Sequence, residues 1–97
     1  MNILEEANKY TNIDRQAVYG HPIQDFGKVA QLTKPILESD IDPRLKHALY
    51  MIQVKVARLL QTPGHRDSIV DIAGYANTYS MVASKVFDHY KQDEEVK

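Results

Sequence analysis

The sequence predicts an all-α fold: a helical bundle built on a long antiparallel helix hairpin, about 43–61 and 66–91, with shorter N-terminal helices. Three observations predict it. Leu45, Ala48/Leu49, Ile52, Val56 and Leu59/Leu60 recur at helical spacing over roughly five turns. The stretch that follows carries no charged residue between Ile72 and Ser84, and a helix apolar on most of its circumference is a buried one. No segment alternates apolar and polar residues in the manner of a strand.

A first helix is drawn over residues 3–10, with Asn2 as its cap and Ile3, Leu4, Ala7 and Tyr10 on one side. Residues 11–22 read as an ordered loop or a broken helix. Gly20 permits a positive φ there, and Pro22 disfavours helix at His21. A second helix is expected over 23–37, carried by Ile23, Phe26 and Val29/Ala30, and kinked or ended by Pro35. Asp42-Pro43 starts the third, because aspartate caps free amides and proline fits the first helical position without losing a bond. Thr62-Pro63-Gly64 breaks it. The fourth helix shows two faces: Ile69, Ile72/Ala73, Ala76, Ser80, Ala83 and Phe87 on one, and Val70, Gly74, Asn77 and Met81 on the other. Two faces imply two partners, the preceding helix and either the 23–37 helix or a second subunit. Residues 92–97 are polar and expected to fray, so the chain reads as one domain over 1–97.

Composition narrows the function. A net charge of −1 removes any generic drive towards duplex nucleic acid or an anionic membrane. The chain has no cysteine, which excludes disulfides and thiolate metal sites and suits a reducing cytoplasm. The acidic start Met1-Asn2-Ile3-Leu4-Glu5-Glu6 reads as neither signal peptide nor membrane span, and a cytoplasmic location is expected. At 97 residues a lone helical hairpin buries too little surface to be comfortable, so self-association is expected.

The short turn between the long helices makes them antiparallel, in a register that sets Arg58 level with Asp71 and Lys55 opposite Gly74, near Tyr75. Lys55 and Arg58 share one helix face; Asp67, Asp71 and Tyr75 share another. Either Arg58 and Asp71 form a structural ion pair, or Lys55 and Arg58 face an anionic ligand while Asp71 orients a cation or accepts from a ligand hydroxyl. His65-Arg66-Asp67-Ser68 opens the last helix, where free amides favour a phosphate, unless Asp67 or Ser68 simply caps it. Residues 14–26 carry function, or Tyr19 and Phe26 plug the core while Arg15 pairs with Asp25. Magnesium needs converging carboxylates, and only Asp67 and Asp71 have the spacing. His21, His47, His65 and His89 lack the spacing of zinc ligands. No phosphate-cradling glycine loop or nucleophile elbow is present.

Asp14-Arg15-Gln16, Tyr19-Gly20-His21-Pro22, Asp25-Phe26, Lys55-x-x-Arg58 and Arg66-Asp67-Ser68-x-x-Asp71-Ile72-Ala73-Gly74-Tyr75-Ala76 together resemble a group of small bacteriophage proteins. These in turn resemble the MazG-type all-α nucleotide pyrophosphohydrolases, over nearly the whole chain. That resemblance implies a four-helix core, dimers or tetramers, and nucleotides held between helices. The enzymes hold magnesium with Glu-Glu-x-x-Glu on one helix and Glu-x-x-Asp on the next. By position Asp71 matches the final Asp, Ser68 stands where the Glu belongs, and Ile52-Gln53-Val54-Lys55 occupies the place of the acidic motif. A metal-binding helix has become a cationic one.

The expectation is a phage-type nucleotide-binding protein that captures a nucleotide, or a cyclic nucleotide-like signal in immune evasion, without a cofactor or catalytic residue. Its ligand-binding residues would be Arg15, Tyr19, His21, Lys55, Arg58, His65, Arg66, Asp71 and Tyr75. Arg15, Lys55, Arg58 and Arg66 would contact phosphate, and Tyr19 or Tyr75 would stack on a base. One rival is a divergent magnesium-dependent pyrophosphohydrolase using Asp67 and Asp71. Another is a small inhibitor or adaptor that binds a host protein.

Overall fold

A computed structural model describes residues 2–89, and all the regular structure in them is helical. Helix α1 (Ile3–Lys9) starts where Asn2 accepts a hydrogen bond from the Glu5 amide, 2.8 Å. It runs without a break into a π-helical turn (Tyr10–Asp14) and then α2 (Arg15–Tyr19). The segment expected to be a loop or broken helix is therefore helical as far as Tyr19. In the π-turn the Arg15 amide reaches back to the Tyr10 carbonyl, one residue further than in an α-helix. Side chains take up the displaced bonds: Thr11 Oγ1 donates to the Ala7 carbonyl (2.8 Å) and Gln16 Nε2 to the Thr11 carbonyl (3.1 Å).

Gly20, at φ 79°, turns the chain into α3 (Pro22–Glu38). His21 caps that helix through Nδ1, which accepts from the Ile23 amide, and Pro22 stands at its first position. Pro35 does not end the helix, which continues to Glu38. The carbonyl that proline cannot serve belongs to the exposed Gln31, where water can satisfy it. Lys46 closes the far end by donating to the Ser39 carbonyl at 2.7 Å. Helix α4 (Pro43–Gln61) has the predicted bounds. Helix α5 (Arg66–Val86) stops short of the expected end; residues 90–91 and the expected frayed tail 92–97 lie outside the described residues.

Helix α4 lies in the middle, with α3 on one side and α5 on the other; α3 and α5 do not touch. Leu45, Ala48 and Ala57 of α4 and Ala83 of α5 are buried, together with Thr33 and Ser68. Small residues at these seams let the helices approach closely. Thr33 satisfies its hydroxyl on its own helix, donating to the Val29 carbonyl at 2.6 Å. The inward stripe of α5 runs through Ser68 and Ala83, which are buried, and Ile72, Tyr75, Tyr79, Val82 and Val86, which are half-buried. Neither predicted face matches it as a whole. Ile69, Ala73 and Ala76 of one, and Val70, Gly74, Asn77 and Met81 of the other, are exposed, and the 23–37 helix is not a partner of α5. A run of uniformly small and apolar residues leaves the azimuth of a helix undetermined. Helix α1 touches only the π-turn, leaving Ile3 and Leu4 exposed. No helix among the described residues is long and apolar enough to cross a membrane.

Asp42 caps α4 by accepting from the Arg44 amide at 2.8 Å while its carboxylate takes a two-point bond from the Arg44 guanidinium. Those bonds hold its pKa at about 2, against an ordinary value of 3.8. A depressed carboxylate stabilises the fold above its unfolded value and loses that contribution as pH falls through the folded one. Thermal melts followed by circular dichroism should therefore lose stability between pH 4 and pH 2, and Asp42→Asn, which still caps the helix but loses the charge that pairs with Arg44, should flatten that limb and lower the melting temperature slightly at neutral pH.

Candidate functional site

The loop end of the α4–α5 hairpin gathers most of the predicted cations. Helix α2 is fastened to it by the Thr62 hydroxyl, which donates to the Val18 carbonyl. At the same corner Lys28 donates to Gln61 Oε1 at 3.2 Å. Gly20 fits against that glutamine so closely that a Cβ would lie 3.2 Å from its side chain. These contacts deliver the half-buried ring of Tyr19 to the end of α4. The Arg58 guanidinium lies 4.3 Å from the ring centroid, that of Arg15 lies 5.1 Å away, and His65 meets the ring edge-on at 5.7 Å. His65 Nδ1 is 2.7 Å from Ser68 Oγ.

One turn further along α4, Lys55 Nζ pairs with Asp71 Oδ2 at 3.0 Å. The Lys55 side chain is 14% exposed and that of Asp71 46%. The Arg58–Asp71 ion pair expected from the register is not formed: Asp71 takes Lys55, and Arg58 turns to Tyr19 instead. The Arg58 guanidinium forms no hydrogen bond or ion pair with any described residue, and its buried Nε lacks a partner.

The remaining predicted residues separate. His21 is spent on capping α3. Arg66 and Asp67 are exposed on the first turn of α5, whose cap residue, His65, makes no side-chain capping bond. Neither Asp67 nor Ser68 caps that helix; Ser68 is buried against His65. Tyr75 and Asp71 line a shallow cleft on α5 with Val70, Gly74 and Thr78. Among the described residues no three His, Asp or Glu side chains converge as metal ligands would.

A second cleft, about 220 Å³, lies between the π-turn, α2 and the start of α3. Its lining includes Arg15, Tyr19, Phe26 and Asp25. Asp25 is 6% exposed and its Oδ1 is buried without a partner. The expected Arg15–Asp25 pair is not formed, since Arg15 lies against Tyr19, and Phe26 is 69% exposed rather than plugging the core. The sequence reading paired Asp25 with Arg15, and a carboxylate in a helix's first turn also has an ordinary role there; neither anticipates its burial without a partner.

A family model described as a domain of unknown function, DUF6378, matches residues 2–83. The Gene 55 protein of Mycobacterium phage D29 is 43% identical over 75 residues, covering 77% of this chain and 49% of that protein. The Gene 55 protein of Mycobacterium phage L5 is 33% identical over 76 residues, covering 78% and 49%. The chain thus spans about half the length of these relatives. No solved structure gives a significant match.

A double-mutant cycle of Lys55→Met and Asp71→Ala, read by urea unfolding, should give a coupling of roughly 1–2 kcal/mol, between the values for exposed and buried pairs. The same cycle on Arg58→Gln and Asp71→Ala should give none.

Proposed function

The chain belongs to the DUF6378 family of phage proteins, which carries no assigned activity, and we propose that this member binds a nucleotide or nucleotide-derived anion without consuming it. One observation carries the reading: the half-buried Arg58 guanidinium has an aromatic face beneath it but no anion beside it. Contact with an aromatic ring is worth about 0.5–2 kcal/mol, which offsets only part of the cost of withdrawing a charged donor from water. A phosphate bridging Arg58 and Arg15 would supply the missing acceptors in the forked geometry that guanidinium favours. Lys55, neutralised by Asp71, adds a positioning role beneath that site, and His65 fixes the edge of the ring. The resemblance to MazG-type enzymes supports a nucleotide as the anion, and it stands apart from the family match. In a phage, such capture would sequester a host signal or modulate nucleotide pools.

The reading includes a second copy of the chain. Ile69, Val70 and Met81 of α5 are exposed, and among the described helices only α4 packs against α5. An apolar face of this kind is characteristic of an interface.

Native mass spectrometry of the purified protein should find nucleotide that leaves intact, and titration with linear and cyclic nucleotides should show binding without magnesium. Arg58→Gln should weaken that binding at least tenfold while the melting temperature changes little. Pyrophosphate release abolished by Asp71→Asn would replace this reading with hydrolysis. Sedimentation should give a mass above that of one chain, falling to a monomer in Val70→Glu/Met81→Glu.

A further inference from the structure

We propose that the cleft between the π-turn, α2 and the start of α3 is a base pocket, in which Asp25 accepts two hydrogen bonds from the adjacent N–H groups on the edge of guanine. This rests on the nucleotide reading above and adds the identity of the base. Asp25 is nine-tenths buried, lines the cleft, and forms no hydrogen bond or ion pair through its side chain with any described residue. A buried carboxylate left this way costs free energy unless something supplies donors, and it can only accept. Two other polar groups on the wall are already engaged: the Thr11 hydroxyl donates to the Ala7 carbonyl, and the Gln16 amide donates to the Thr11 carbonyl.

The cleft's size and rim select the ligand further. About 220 Å³ is below the roughly 300–1,000 Å³ of sites for drug-sized molecules, so one ring system fits. Phe26, an aromatic side chain at the rim with 69% of its surface exposed, offers a stacking face. Arg15 borders the cleft and also stands over Tyr19, so the base pocket and the phosphate site share an edge. A carboxylate reads guanine because N1–H and the N2 amine are adjacent donors. Adenine and cytosine set a donor beside an acceptor, and uracil flanks its one N–H with carbonyls that a carboxylate repels.

The test is calorimetric titration with GMP, IMP, AMP, CMP and guanosine, using the native chain, Asp25→Asn, Phe26→Ala and Arg58→Gln. GMP is expected to bind tightest, with IMP, AMP and CMP roughly 10- to 100-fold weaker, the discrimination typical of a two-point contact to a base edge. Asp25→Asn should erase that preference and leave the weaker, phosphate-driven binding, with a melting temperature unchanged or raised because a buried unpaired charge is gone. Phe26→Ala, at an exposed position, should weaken GMP without unfolding the chain. Guanosine bound by the native protein and lost in Asp25→Asn would support the pocket, while GMP bound equally by native protein and Arg58→Gln would count against the phosphate reading. Equal affinity for all four nucleotides, lost in Arg58→Gln and indifferent to Asp25→Asn, would overturn the guanine assignment and leave anion binding intact. Binding of none of these probes would overturn both.

Discussion

The ring of Tyr19 is the contact on which the loop end of this molecule depends. It is the meeting point of Arg15 from its own helix, Arg58 from α4 and His65 from the turn before α5. Contacts of this type contribute about 0.5–1.5 kcal/mol each, enough together to fix how three segments meet. The ring arrives there because α1 continues through a π-turn: each additional residue rotates the following positions by about 100° around the axis. Without the wide turn, Tyr19 would face elsewhere and the Arg58 guanidinium would lose the ring it lies over.

Helix α4 explains why cations gather at this place. It has neighbours on both sides, so few of its positions face water, and its buried contacts are made by Leu45, Ala48 and Ala57. Polar residues on such a helix must find partners within the fold or be left for something outside it. Lys55 finds Asp71, whereas the Arg58 guanidinium finds the ring of Tyr19 and no anion. Their three-residue spacing puts them on one face, and the difference between them comes from what each neighbouring helix presents.

What the sequence reveals follows from how local each signal is. The bounds of α4 are written in its ends, Asp42-Pro43 and Thr62-Pro63-Gly64, and the structure keeps them. The spacing of Lys55, Arg58 and Asp71 placed them at one end of the hairpin, but which cation takes the carboxylate depends on Tyr19, a tertiary contact no local pattern encodes. The π-turn was hidden because its compensating bonds come from Thr11 and Gln16, residues equally at home in a loop. The inward face of α5 was hidden for the opposite reason: Ala73, Gly74 and Ala76 give no apolar contrast with their neighbours. Asp25 resembled any acidic residue in a helix's first turn until its burial was known.

The placement of α4 between two helices that never touch has a consequence for how the chain folds and breathes. Energetically α3, α4 and α5 form a short linear stack, in which the two outer helices are each coupled to α4 and not to each other, as in a repeat protein. Contacts between helices adjacent in sequence give a low contact order and rapid assembly. The α3–α4 seam can open while the α4–α5 hairpin stays closed, because no α3–α5 contact has to break. The cleft at the start of α3 and the cleft on α5 are therefore linked through α4 and the Tyr19 corner, and not by packing of α3 on α5.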